Sequence, residues 1–232
     1  SEEHPEITRA FLSFIQNQAH TADALYILGD FFETWVGDDL VTPLSQSVCN
    51  ALNQLHQKGV AIYFMHGNRD FLIGQKFIKA AGMTLLNDPS PINLYGKDSV
   101  IAHGDYLCTE DTSHQRFRRF TGNKLTQRCF FALPLKIRQR IAMALRNKSK
   151  QFHANVTSDP RYDVTLPAVT QMMEKYRVQW MIHGHTHRPA CHQLIANQLP
   201  AQRYVLGAWE AEAQIIRVES DQTVHFETLA IT

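Results

Sequence analysis

Ala24-Leu25-Tyr26-Ile27-Leu28-Gly29-Asp30 is five apolar residues closed by a glycine and a carboxylate, and the same figure returns three times. Val60 to Met65 runs into His66-Gly67-Asn68-Arg69-Asp70. Ser99-Val100-Ile101-Ala102 runs into His103-Gly104-Asp105, and Val178 to Ile182 into His183-Gly184-His185-Thr186-His187. Short apolar runs bounded by turn residues read as buried strands. Between them the spacing turns helical. Ile7, Phe11, Phe14 and Ile15 share a face in Pro5 to His20. Leu44, Val48, Leu52 and Leu55 do so in a helix opening near Pro43 and stopped by Gly59. Further helices are expected over Phe71 to Ala81 and Val164 to Tyr176. Past Cys191, runs such as Arg203 to Leu206 and Gln214 to Val218 read as β-hairpins. Strand and helix alternate first and hairpins follow, so the fold class is α/β, one domain over 1–232.

Composition sets the outer limits. A chain of 232 residues, 44% apolar and 19% charged, is long enough for a sizeable core and is not a disordered chain. The longest apolar run, Phe130 to Leu135, is far shorter than the ~20 residues a helix needs to cross a bilayer. Cys49, Cys108, Cys129 and Cys191 stand singly, which argues against a disulfide framework or zinc knuckle and fits a reducing compartment. The net charge of +1 conceals an asymmetry. Of 23 Lys and Arg residues, 11 fall between Gln115 and Lys150, where there is no acid. The other 12 face all 22 acids, so the remainder carries −10.

In open α/β sheets, ligands bind beyond the carboxyl ends of the strands, and four polar clusters lie there. Taken singly each has a plain reading: Gly-Asp and Asn68 as turn residues, His103 as a hydrogen-bonded core histidine. Three imidazoles within His183 to His187 are harder to assign to packing. The donors on offer are carboxylate, amide oxygen and imidazole, without thiolate, a set suited to Mn²⁺, Fe, Zn²⁺ or Mg²⁺. A carboxylate shared by two metals serves in-line attack on phosphorus.

These motifs, together with Trp35-Val36-Gly37-Asp38-Asp39 and the closing Arg188-Pro189, resemble the calcineurin-like metallophosphoesterases, and in particular their lipid A branch, over essentially the whole chain. The resemblance implies a β-sandwich flanked by helices, with a helical basic insertion (cap) at about 112–155 that takes acyl chains. It implies two Mn²⁺ ions and water attack on the uridine-linked phosphorus of UDP-2,3-diacylglucosamine, giving UMP and 2,3-diacylglucosamine 1-phosphate. Carried over, Asp30 bridges the metals, Asn68, His103 and His185 complete one site, and His187 belongs to the other. Asn68, Arg69 and His185 take catalytic roles on the phosphoryl oxygens, and Asp111, Arg146 and Ser149 join them in binding substrate. The family's Asp-x-His motif occurs nowhere in these residues. The resemblance places it on a first strand preceding Ser1, so the second metal site is incomplete here. His114, His153 and Val156 also depart from the family's Tyr, Asn and Lys. Trp35, Asp38 and Asp39 match a family loop and read equally as a packed Trp and a solvated turn.

Arg69 stands where many relatives carry a histidine able to protonate a leaving alkoxide. A guanidinium keeps its proton at neutral pH but binds phosphate and stabilises transition-state charge. That favours a leaving group needing no proton, such as the phosphate of a diphosphate. In the insertion, Ile137, Ile141, Ala144 and Leu145 share a helix face begun at Pro134, with Lys136, Arg138, Arg140, Arg146 and Lys148 largely off it. Cations interleaved with apolar side chains suit an anionic membrane surface or amphiphilic lipid, and otherwise a solvated face. No nucleic-acid module accompanies them. The expected partners are a nucleotide-linked glycolipid and an anionic membrane, with no nucleic acid and no obligate protein. The expected place is the cytoplasmic face of the bacterial inner membrane, peripherally bound. Alternatives are a phosphoesterase of soluble nucleotides or monoesters, and a non-catalytic lipid- or nucleotide-binding relative lacking one metal site.

Overall fold

The N-terminal helices form because their apolar spacing has a sheet to cover. Helix α1 (Pro5–Asn17) buries Phe14 and Ile15. Helix α2 (Pro43–Gln57) starts in a capping box between Thr42 and Ser45 and buries Val48, Leu52 and Leu55. A computed structural model of the protein describes residues 4–154, 160–210 and 212–231. The first sheet is parallel in the order β1 (Ala24–Ile27), β2 (Ala61–Phe64), β3 (Met83–Leu85). The second comprises β4 (Ser90–Leu94), β5 (Lys97–Ala102), β6 (Trp180–His183), β7 (Ala190–Ala196) and β8 (Leu199–Val205), in the order β4-β5-β6-β8-β7. Its three central strands are parallel and its two edges antiparallel. Strands β9 (Glu212–Val218) and β10 (Val224–Ala230) form the closing hairpin.

Three apolar clusters define the layers. Helices α1, α2 and α3 (Gln75–Ala80) pack on one face of the first sheet, around Leu52, Leu55 and Phe64. Helix α7 (Leu166–Tyr176) covers the second sheet, setting Val169 and Met173 against Val100, Ala102 and Met181. Between the sheets Leu28, Met65, Ile101, Trp180, Ile182 and Tyr204 form the sandwich interior. Strand β5 displays the period of two: Ile101 points between the sheets while Val100 and Ala102 face α7. The α/β sandwich flanked by helices is the fold class expected from the sequence.

The structure corrects two local expectations. The helix expected over Phe71 to Ala81 begins only at Gln75, because Asp38 decides its start. The Asp38 carboxylate accepts from the backbone N–H groups of Gly74 (2.9 Å) and Phe77 (3.0 Å) and from Trp35 Nε1 (3.0 Å). Trp35 and Asp38 are thus a packed indole and a remote helix cap. Strand β1, whose apolar run reads as fully buried, is half-buried throughout, since it pairs only with β2 among the described residues.

The insertion is helical as expected: α4 (Thr112–Thr121), α5 (Lys124–Phe131) and α6 (Leu135–Ala154). Helix α6 docks through Arg138 and Arg146, while Lys136, Arg140 and Lys148 stay exposed. Arg138 is 5% exposed, whereas Ile137, Ile141, Met143 and Leu145 face solvent. Arg138 donates to both oxygens of Asp39, to the Val36 carbonyl (2.5 Å) and to its own Leu133 carbonyl (3.1 Å). Four acceptors satisfy the guanidinium, and that offsets the cost of desolvating it. The side chain of His153 and residue Val156 lie outside the described residues. No helix among the described residues is long and apolar enough to cross a membrane.

Candidate metal centre

The strand ends meet as expected. Gly29 (φ +83°) and Gly67 let two loops touch: a Cβ on Gly67 would lie 2.2 Å from the Asp30 backbone nitrogen. At that crossing Asp30, His103 and His185 each offer one ligand atom, all within 4.8 Å of one another. Asn68 joins them, its Oδ1 lying 3.0 Å from both His103 Nε2 and His185 Nδ1. Asp30, His185 and His187 all adopt positive φ (52°, 67° and 55°) without being glycine. Such strain persists where the surroundings over-determine it, and it gathers at functional sites.

Electrostatics point the same way. Burial penalises the Asp30 carboxylate, but His103, Arg69 and His185 outweigh it and hold its pKa below the ordinary value. Burial opposes a charged His103, yet Asp30 and Asp105 outweigh it and raise its pKa. Burial, reinforced by His103, pushes His185 well below its usual range, and burial with Arg69 lowers His187. His185 and His187 are therefore neutral near pH 7, as ligands must be. His103 Nδ1 lies 2.8 Å from the Leu28 carbonyl, which commits its N–H there and leaves Nε2 aimed at the Asn68 oxygen. Two acceptors 3.0 Å apart need a cation or a proton between them. The hard oxygen and imidazole donors fit a divalent ion such as Mn²⁺.

His187 stands outside that cluster. Its Nδ1 lies 3.9 Å from Glu210, and its ring lines a cavity of ≈ 780 Å³ together with Asp30 and His185. The cavity runs between β1 and β9, whose facing edges pair with no other strand among the described residues. Arg69 sits at the centre, Nε 3.4 Å from Asp30 Oδ2, its backbone N–H donating to Asp30 Oδ1 at 2.9 Å. Arg146 reaches in from α6 through Glu33. Asp111 is occupied as the N-cap of α4, accepting from the His114 N–H at 2.9 Å. Ser149 lies half-buried on α6.

Sequence reasoning passed over four carboxylates. Asp70 Oδ1 accepts from the Gly67 N–H at 2.8 Å, and Oδ2 from the Phe31 N–H at 2.6 Å, so it clips the two metal loops together. Burial and the neighbouring Asp30 raise its pKa. Asp105 receives Arg118 (3.0 Å) and His114 (3.4 Å). Asp88 accepts from the His103 backbone N–H at 3.0 Å, and burial raises its pKa to about 6. Glu33 joins Arg69 to Arg146. Asp70 and Asp105 stood inside the quoted motifs. Asp88 and Glu33 carry no motif of their own.

The profile of the calcineurin-like phosphoesterases matches residues 2–189, which carry every one of these side chains except Glu210. The chain belongs to that family. Among relatives of this phosphoesterase, a protein of Enterobacter sp. (strain 638) is 51% identical over 219 residues, 94% of this chain and 91% of that protein. Proteins of Escherichia coli O157:H7 and Shigella sonnei (strain Ss046) are each 49% identical over 226 residues, 97% of this chain and 94% of theirs. All three carry the name UDP-2,3-diacylglucosamine hydrolase.

Proposed function

We propose that this phosphoesterase hydrolyses the diphosphate of UDP-2,3-diacylglucosamine, releasing UMP and 2,3-diacylglucosamine 1-phosphate. The observation that carries the reading is Arg69 beside Asp30 in a centre otherwise built of metal donors, in a chain half identical over nearly its full length to hydrolases named for that substrate. Divalent ions, once bound, supply Lewis acidity and water of lowered pKa. Asp30, Asn68, His103 and His185 would hold one ion, and Asp30 with His187 part of a second. Asn68, Arg69 and His185 orient the phosphoryl oxygens, and the Arg69 guanidinium neutralises the charge that grows on them. It gives up no proton, and the sugar 1-phosphate leaves without one.

Two ions, Mn²⁺ in the cell, are the fuller reading. The groove between β1 and β9, whose facing edges pair with no other strand among the described residues, is lined by Asp30 and His187. An extended segment ending in Asp-x-His, seated there, would pair with both edges and complete the second site. The cap serves the lipid end of the substrate. Phe120, Leu125, Ile137, Ile141, Met143 and Leu145 are exposed on α4–α6 among exposed cations such as Arg119, Lys124, Arg128, Lys136 and Arg140. Such a face suits acyl chains and an anionic bilayer, consistent with peripheral attachment at the cytoplasmic face of the inner membrane.

The test is UMP release from UDP-2,3-diacylglucosamine in mild detergent, with Mn²⁺ or with chelator, with and without an added Asp-x-His strand. Release that needs metal and rises with the strand supports the reading. Faster metal-dependent hydrolysis of alkyl monoesters than of the diphosphate would sink it.

A further inference from the structure

Between the metal loop and the cap one carboxylate serves two guanidiniums. Glu33 Oε1 lies 3.5 Å from Arg69 Nη1, while Oε2 accepts from Arg146 Nη2. The two arginines come from segments far apart in the chain, and Arg69 is near enough to Arg146 to disfavour its charge. Both are well covered, at 22% and 15% side-chain exposure, whereas Glu33 is 35% exposed. The pair is also unfinished. Arg146 Nε is buried without any hydrogen-bond partner. As placed, Glu33 meets Arg146 through Nη2 and leaves Nε without an acceptor. A buried N–H facing no acceptor is costly, and an anion presenting three oxygens would relieve it.

We propose that Glu33 is a built-in stand-in for a phosphoryl group. It holds Arg69 and Arg146 together in the resting protein and yields when a substrate phosphoryl enters between them. The carboxylate swings toward solvent on its flexible stem, and the incoming oxygens take over the Nη donors and satisfy Arg146 Nε. No bond is made or broken in this exchange. The displaced charge makes the seat selective, because an entering group must outcompete a carboxylate for two guanidiniums. A diphosphate, with more charge and more oxygens than a carboxylate or a phosphate diester, does so best. The inference extends the diphosphatase reading by naming what sets its preference for diphosphates, yet its test needs neither the glycolipid nor turnover.

The probe is inorganic pyrophosphate, titrated calorimetrically into the intact chain in chelator. Glu33→Gln removes the competing charge and leaves the stem. Two unit charges about 5 Å apart, even at the dielectric of water, correspond to roughly a 4-fold change in affinity. Pyrophosphate should therefore bind Glu33→Gln at least about 4-fold more tightly than the parent. In an Arg146→Gln background, adding Glu33→Gln should gain less than half that factor. Equal or weaker binding by Glu33→Gln, or no binding to either protein, overturns the proposal. So does an equal gain with and without Arg146. Thermal melts of each variant identify misfolding, and Glu33→Asp, which shortens the stem and keeps the charge, supplies the second reading: it should bind no more tightly than the parent. Failure to release UMP from the glycolipid would count against the diphosphatase reading alone.

Discussion

Asp88 shows how one side chain can cost stability in order to serve a site. It is buried beside His103, accepts from that residue's backbone N–H, and has its pKa raised from 3.8 to about 6. Its folded state holds the proton more tightly than the unfolded chain does. The stability tied to this group is therefore greatest below pH 4 and falls as pH rises through 6. Two pKa units correspond to about 3 kcal/mol at most. Asp88→Asn keeps an oxygen for the His103 N–H and sheds the charge. At pH 7.5 it should stabilise the chain by about 1–2 kcal/mol, raising Tm by roughly 2–8 °C. The gain should vanish near pH 4, and urea melts at the two pH values check it. Asp70 is the opposite case at the same scale, since its oxygens hold the Gly67 and Phe31 N–H groups. Asp70→Ala would leave those donors without partners and separate the two loops, costing about 2–4 kcal/mol by urea melts.

Among the elements, α6 is the one whose docking is least visible in its own sequence. Its apolar positions Ile137, Ile141 and Leu145 stay exposed, as a lipid-facing or solvated face allows, and Arg138 and Arg146 dock it on Asp39 and Glu33. These ion pairs hold α6 to the loop after β1. Arg138→Ala removes the donor to Val36 and Asp39, but Asp39 is 55% exposed and is readily resolvated. The cost should be local, about 1–2 kcal/mol. Hydrogen exchange in α6 should speed up about 10-fold while β5 and β6 are unchanged. A uniform acceleration across the chain would refute ion-pair docking. Helix α3 carries the same lesson in smaller form: its first turn depends on Asp38, 36 residues before Gly74.

For the whole molecule, metal is expected to act as a staple between the sheets. Asp30 follows β1, Asn68 follows β2, His103 follows β5 and His185 follows β6, so an ion held by all four ties first sheet to second. Saturation at 100 times Kd contributes about 2.7 kcal/mol, a rise in Tm of roughly 5–10 °C for a chain of this size. His103→Ala should abolish that shift under the same Mn²⁺, as read by calorimetry. The asymmetry of charge also acts at this scale. Binding to anionic vesicles should fall by 10-fold or more between about 50 and 500 mM salt, and a cap carrying Glu at Arg116, Arg119 and Arg128 should not bind.

The sequence by itself determined the α/β class, the helical insertion and the four clusters that converge on the candidate metal centre. Those are local properties: a period of two or of 3.6, and a glycine with a polar residue at the end of an apolar run, are visible within a dozen positions. Tertiary structure alone decided which charges meet. Glu33 finds Arg146 across 113 residues and Asp39 finds Arg138 across 99. The same holds for the inward turn of Arg138 and Arg146 on α6, the late start of α3 and, among the described residues, the open edge of β1. A carboxylate's partner, and whether an apolar face is covered, depend on what the rest of the chain brings within a few ångströms, and residue spacing along one segment carries no record of that.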